Sequence, residues 1–312
     1  MTTEAQSSPT FVPVRSRPRS GHVRRQQKRA AWLFMLPSIT VLGVFVVYPM
    51  SQALYLSFTR YDVLNPAVWL GLKNYTDLPG DPAFTNALAN TLYYAVVTTP
   101  LSVGLALALA VMLNQRIPWR ALGRTAVFLP VVLGLAIVAI AWSFLLDPDI
   151  GLVSYWLGKI GLTSNQGWLR DPNLAMPAVM LVGIWKNVGF YMVIYLAGLQ
   201  SIPKDLFEAA RIDGAKGWQQ FRHITWPLLA NQTMLVTILC ATATLQAFDQ
   251  IYVMTRGGPY FKTETLVMLI YREGFSEFRF GYAAAISWVL VLLILILSLG
   301  QLAYFRRRAV TY

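Results

Sequence analysis

Five stretches of this chain, residues 30–59, 82–115, 125–146, 223–248 and 280–305, contain no Lys, Arg, Asp or Glu. Each is longer than the roughly 20 residues that a helix needs to cross about 30 Å of hydrocarbon. A sixth run, residues 172–200, is broken only by Lys186. The pattern predicts an all-α integral membrane protein with six transmembrane helices and both termini on one side. Composition agrees: 13% of the side chains are charged, against about 25% in soluble domains.

The positive-inside rule tests the count. Residues 1–29, 116–124, 204–222 and 306–308 together hold seventeen Lys or Arg, against the acids Glu4, Asp205, Glu208 and Asp213. The opposite loops hold eight Lys or Arg and ten acids. Six spans with cytoplasmic termini therefore place the basic charge inside. The formal charge of +12 is mainly a topology signal and does not point to nucleic acid, because no basic face stands apart from the membrane flanks. Residues 1–29, rich in Ser, Pro and Arg, are expected to form a mobile basic cytoplasmic tail, and residues 309–312 a C-terminal tail. The first apolar run and its basic leader are too long for a cleavable signal peptide.

Several spans carry unusual residues. Span three contains Pro130 and Gly134, so bending is possible there. Span four carries Trp185-Lys186-Asn187 near its middle. A charge at the centre of a span costs about 2.5–3.5 kcal/mol on insertion scales, so Lys186 is expected to face a polar cavity, a partner charge or another subunit. Span five ends in a polar and aromatic cluster, Gln246, Phe248, Asp249, Gln250 and Tyr252. The turn Thr255-Arg256-Gly257-Gly258-Pro259 follows it.

Residues 203–227 are a polar interruption between spans four and five. Pro203 suits a first helical turn, and Asp205 and Glu208 favour the positive end of the helix dipole. Gly214 is placed to end that helix with positive φ, and Trp218 and Phe221 restart an amphipathic segment. The spacing predicts a helix-turn-helix. On pattern alone it is either a knob for a partner's groove or an amphipathic loop resting on the membrane.

Catalytic and metal chemistry is not indicated. His22 and His223 are the only histidines and lack metal-ligand spacing. The single cysteine, Cys240, lies in an apolar run. Gly158-Lys159 lacks the earlier glycine and the hydroxyl of a phosphate-binding loop. No catalytic residues and no cofactor are assigned to this chain.

Glu208-Ala209-Ala210, three residues, Gly214, nine residues and then Ile224-Thr225-Trp226-Pro227 resembles the EAA loop of permease subunits in binding-protein-dependent ABC importers. The likeness runs over most of the chain. Residues 198–203, 209–215 and 255–259, with Trp185-Lys186 and Phe248-Asp249, are similar to the carbohydrate-uptake branch, of the maltose and glycerol-phosphate permease kind. Trp226 departs from that pattern, which usually has Leu there, and only local repacking is expected.

The resemblance implies a six-span permease domain over residues 30–308 in a prokaryotic inner membrane. It would pair with a second, non-identical permease, two cytoplasmic ATPases that bind ATP and Mg, and an extracytoplasmic solute-binding protein. Glu208, Ala209, Ala210, Asp213 and Gly214 would couple the permease to an ATPase, with Glu208 the polar anchor and Gly214 the turn. Lys186, Asn187, Tyr191, Gln246 and Asp249 are the residues expected along the substrate path. Aromatic faces and neutral hydrogen-bonding groups suit a sugar, whereas Lys186 and Tyr271-Arg272-Glu273-Gly274-Phe275 leave a glycerol-phosphate-type solute open. The rival reading is an ion-gradient-driven secondary transporter, against which stands the lack of a visible inverted repeat.

Overall fold

The structure, a computed structural model, describes residues 21–115, 118–161 and 167–306. The first twenty residues of the expected tail, Arg307 and Arg308 of the C-terminal anchor, and residues 309–312 lie outside them. The chain divides into two compact units, Met1–Gln52 and Ala53–Tyr312.

In the first unit a helix begins at Gly21, inside the segment expected to be a mobile tail. After Pro18 the sequence offers Arg, Gln, Lys and Ala without a further proline before Pro37. These are good helix formers. The helix passes through a wider π turn, Gly43–Val47, and the candidate span, Ala31–Ser57, ends within the second unit.

The second unit contains the other continuous spans: Pro82–Asn114, Ala175–Ser201, Ala230–Met254 and Phe280–Phe305, here spans two, four, five and six. Span two starts where Asp81 caps it, its carboxylate accepting from the Ala83 amide at 2.8 Å. Pro82 sits at the first helical position, where its missing N–H costs nothing. At the other end, Arg124 Nη2 donates to the carbonyl of Leu113 at 2.8 Å, satisfying an acceptor that the last helical turn leaves free.

Span three differs from the single helix expected over residues 125–146. It is two helices, Arg120–Val132 and Leu135–Leu145, bent by 101°. Neither half reaches the length of a spanning helix. Leu133 and Gly134 between them are extended, with ψ of 143° and 134°. Pro130 supplies no amide to the ladder just before the break. Among the described residues there are thus five continuous candidate spans, and a sixth only if this bent pair is one span.

Three buried clusters hold the second unit together. In the largest, Leu107 and Leu113 of span two meet Tyr195 and Leu199 of span four, Val236 of span five and Leu229 just before it. A second joins Tyr94, Val179, Met180 and Ile251 with Val138 from the broken span. A third packs Phe84, Leu266, Leu269 and Ile286. Close approach depends on missing side chains: a Cβ on Gly189 would strike the Val127 backbone, and one on Gly198 would strike Gln232. Such small-residue contacts let membrane helices pack without a hydrophobic driving force between them.

Candidate functional site

Span five is interrupted. Helix Ala230–Leu245 stops and helix Asp249–Met254 resumes, with Gln246 (φ −100°, ψ 15°) and Phe248 (φ −137°, ψ −59°) outside helical geometry. A break inside a span frees carbonyls, and these are tolerated only where protein groups re-satisfy them. Fully buried Thr265 does so, donating its hydroxyl to the Ala247 carbonyl at 2.9 Å.

The break brings Gln246, Phe248, Asp249 and Gln250 onto one cavity of about 280 Å³. Its other walls are Tyr94, Thr98 and Ser102 from span two, Gly183, Asn187 and Tyr191 from span four, and Cys240 and Thr244 from span five. Tyr191 and Gln250 are buried whereas Gln246 and Asp249 are exposed, so the space has a closed floor and an open side. Gln250 Nε2 donates to the Tyr94 hydroxyl at 2.9 Å, and the Thr99 and Thr244 hydroxyls pair at 3.1 Å. Asn187 Nδ2 donates to the Gly183 carbonyl at 3.0 Å. Among the described residues Asp249 is the one charged side chain on the wall. The arrangement offers hydroxyls, amides and ring faces rather than a cationic grip.

Four of the five residues expected along the path, Asn187, Tyr191, Gln246 and Asp249, therefore share this cavity. Lys186 does not line it. Its Nζ donates to the Val131 carbonyl at 3.3 Å, in the last turn before the break in span three, where a cation suits the free carbonyls. Its neighbour Trp185 meets Trp142 edge to face at 5.5 Å. Tyr94, Thr98 and Ser102 were missed from sequence, and Gln250 was read as part of the polar cluster but not placed on the path. The first three recur every four residues along span two, a polar stripe on one helix face.

The segment after span four is a helix, a turn and a second short helix, as its spacing predicts. Helix Lys204–Ile212 ends with Asp213, and Gly214 takes φ +77°. The Gly214 amide donates to Arg211 O at 3.1 Å and the Ala215 amide to Ala210 O at 2.8 Å, the two bonds of a Schellman cap. Gln219 Oε1 then accepts from the Lys216 amide at 2.7 Å, starting helix Gly217–Gln220. Phe207, Phe221 and Ile224 pack on the largest core cluster. Glu208, Ala209, Asp213 and Gly214 are exposed and Ala210 is half-buried. Ile212 and Trp218 are 87% and 70% exposed. Trp226 joins a local stack, 6.5 Å from Phe221, which lies 5.5 Å from Trp218.

On the far side of spans five and six, two carboxylates are buried beside arginines. Glu264 accepts from Arg272 Nε at 2.8 Å, and Glu273 pairs with Arg279. Burial pushes both carboxyls above their ordinary value, and the arginines only partly offset it.

Comparison with known proteins places these features in a family. The model for binding-protein-dependent transport system inner membrane components matches residues 83–310. The lactose transport system permease protein LacF of Rhizobium radiobacter is 37% identical over 283 residues, 89% of this chain and 94% of LacF. The sn-glycerol-3-phosphate transport system permease protein UgpA of Agrobacterium fabrum is 34% identical over 279 residues, 89% and 94% of the two chains. A chain in the crystal structure of a bacterial alginate ABC transporter, in complex with an alginate pentasaccharide-bound periplasmic protein, superposes with a TM-score of 0.80. It is 25% identical, and the match covers 91% of this chain and 96% of that one.

Proposed function

The chain belongs to the family of inner membrane components of binding-protein-dependent transport systems, as an ABC importer permease, and from that premise we propose that its cargo is a neutral sugar or oligosaccharide. The carrying observation is the cavity at the break in span five. Among the described residues its wall presents amides, hydroxyls and aromatic rings, with one carboxylate and no cation. A phosphate-bearing solute would meet Asp249 without a compensating positive group. A sugar would find the mixed donors and acceptors its hydroxyls require. LacF and UgpA together span both cargo classes by name; the electrostatics favours the first.

In this reading Asn187, Tyr191, Gln246 and Asp249 line an alternating-access path shared with a second, non-identical permease. Lys186 braces the broken third span. The exposed ridge of Glu208, Ala209 and Asp213, closed by Gly214, seats in a groove of a cytoplasmic ATPase, a helix-in-groove contact. Two such ATPases supply ATP hydrolysis, and an extracytoplasmic binding protein delivers the sugar. Both termini then lie in the cytoplasm.

The test is to purify the subunit with its bound partners and measure ATP hydrolysis with lactose, maltotriose and glycerol 3-phosphate. Stimulation by a sugar is expected. Stimulation by glycerol 3-phosphate with the sugars inert would overturn the cargo assignment. Uptake unchanged by Asn187→Ala and Tyr191→Ala would remove the cavity from the path.

A further inference from the structure

Six aromatic rings lead away from the cavity in an unbroken series of contacts. Phe248, on the cavity wall, stacks on Tyr252 at 5.3 Å and meets Tyr271 at 5.4 Å. Tyr252 and Tyr271 are 5.1 Å apart, their hydroxyls 3.4 Å from each other. Tyr271 stacks on Phe275 at 5.5 Å, Phe275 meets Phe280 at 5.9 Å, and Phe280 reaches Tyr61 at 6.2 Å. Tyr61 lines a second polar space of about 470 Å³, together with Arg60, Asp62, Asp77 and Arg279. The series thus joins two polar-lined spaces.

These rings form a supported surface rather than a core. Phe275 is 64% exposed and Tyr252 36%, and the other four are half-buried. The segment that carries Tyr271 and Phe275 is pinned from beneath, since Arg272 binds buried Glu264 and buried Glu273 binds Arg279. Within Tyr271-Arg272-Glu273-Gly274-Phe275 the two aromatic residues therefore join the ladder while the charged pair anchors the backbone. Aromatic residues at a membrane interface form belts at headgroup level. Here each ring touches the next, and both ends of the series open on hydrogen-bonding groups. A pyranose ring has an apolar C–H face that fits the negative face of an aromatic ring, and rings with two χ angles lose little entropy when they order a ligand.

Resting on the sugar reading above, we propose that the ladder from Phe248 to Tyr61 is a carbohydrate track. It connects the central cavity to an outer subsite at Tyr61, so that the cargo is an oligosaccharide long enough to engage both. Neither space alone sets the preferred length; the track does.

Saturation-transfer NMR on the purified transporter complex, without its binding protein, tests this with lactose, maltotriose and maltopentaose. The wild type is expected to gain about tenfold in affinity from the disaccharide to the pentasaccharide. Tyr252→Ala with Phe275→Ala should erase that gain and leave the lactose Kd within about twofold. Tyr252→Phe, which keeps the ring, should preserve it. Asn187→Ala should weaken all three sugars alike. A length-independent Kd in the wild type, or a gain that survives the double alanine variant, overturns the track alone. A wild type that binds none of the sugars overturns the sugar reading and the track with it.

Discussion

Gln250 donates from Nε2 to the hydroxyl of Tyr94 at 2.9 Å, and the pair sits directly over Gly183. Span five, span two and span four are registered by that one arrangement. A Cβ on Gly183 would collide with the Tyr94 hydroxyl while lying 3.7 Å from its Cζ, so the obstruction is the oxygen. Gly183→Ala is expected to cost about 1–3 kcal/mol, the range for forcing an extra methyl into a packed site. It should also lower sugar uptake. Tyr94→Phe removes the obstructing atom but leaves the buried Gln250 amide unpaired, a loss of about 1–3 kcal/mol by itself. Combined, the two should be less destabilising than their sum, because they act on the same contact. Thermal unfolding of the four proteins in detergent checks this; strict additivity would rule out the contact.

Thr265 holds the break in span five open by satisfying Ala247 O. Thr265→Val keeps the shape and removes the donor, leaving a buried carbonyl unpaired at a cost of about 1–3 kcal/mol. The melting temperature should fall and uptake should fall with it. Thr265→Ser, which retains the hydroxyl, should recover most of both. Uptake of Thr265→Val at the wild-type level would mean that the break does not shape the path.

The spans were legible because charge is excluded from hydrocarbon, and a run without charge needs no partner to be recognised. The turn at Gly214 was legible for a similar reason: its cap uses bonds to Ala210 and Arg211, close in sequence. The cavity was legible only in part. Asn187, Tyr191, Gln246 and Asp249 stand out as polar groups in or ending apolar runs. Where the helix breaks, and who satisfies the freed carbonyl, depends on Thr265, and the Tyr94 contact depends on a residue 156 positions away. Lys186 shows the limit well. The cost of a charge in a span says that it needs an acceptor, and the acceptor, Val131 O, exists only because span three is broken.

The buried carboxyls predict a pH response. Burial raises Glu264 and Glu273 above the ordinary 4.5, with Asp81 adding to the effect and Arg272 and Arg279 opposing it. The folded state therefore binds these protons more tightly than the unfolded state does. The resulting stability is present in full below 4.5 and is lost as pH rises through the raised values. Hydrogen exchange of helix Leu266–Tyr271 should accordingly show greater local stability, after correction for intrinsic exchange, in mild acid than at neutrality. Glu264→Gln with Glu273→Gln should flatten that dependence. A steeper dependence in the double variant would reverse the sign argued here.

Gly214 and Gly217 separate backbone conformation from space. Neither would bring a Cβ within 4 Å of another group, yet only Gly214 has positive φ, at +77°. A side chain at that φ costs about 1–2 kcal/mol, less for Asn or Asp, whose short polar side chains bond locally. Gly214→Asp should therefore leave the subunit folded and inserted. It places a carboxylate beside Asp213 on the ridge proposed to seat in the ATPase, where like charge and desolvation both oppose docking. Sugar-stimulated ATP hydrolysis is expected to fall to the basal level in Gly214→Asp. Gly214→Asn, with the same shape and no charge, should retain part of it. Gly217→Ala, free of both strain and charge, should behave as wild type. Immunoblots of the membrane fraction establish insertion, and ATPase assays with and without sugar read the coupling. Full stimulation in Gly214→Asp would remove this turn from the motor contact. Equal losses in Gly214→Asp and Gly214→Asn would assign the effect to backbone geometry instead of charge.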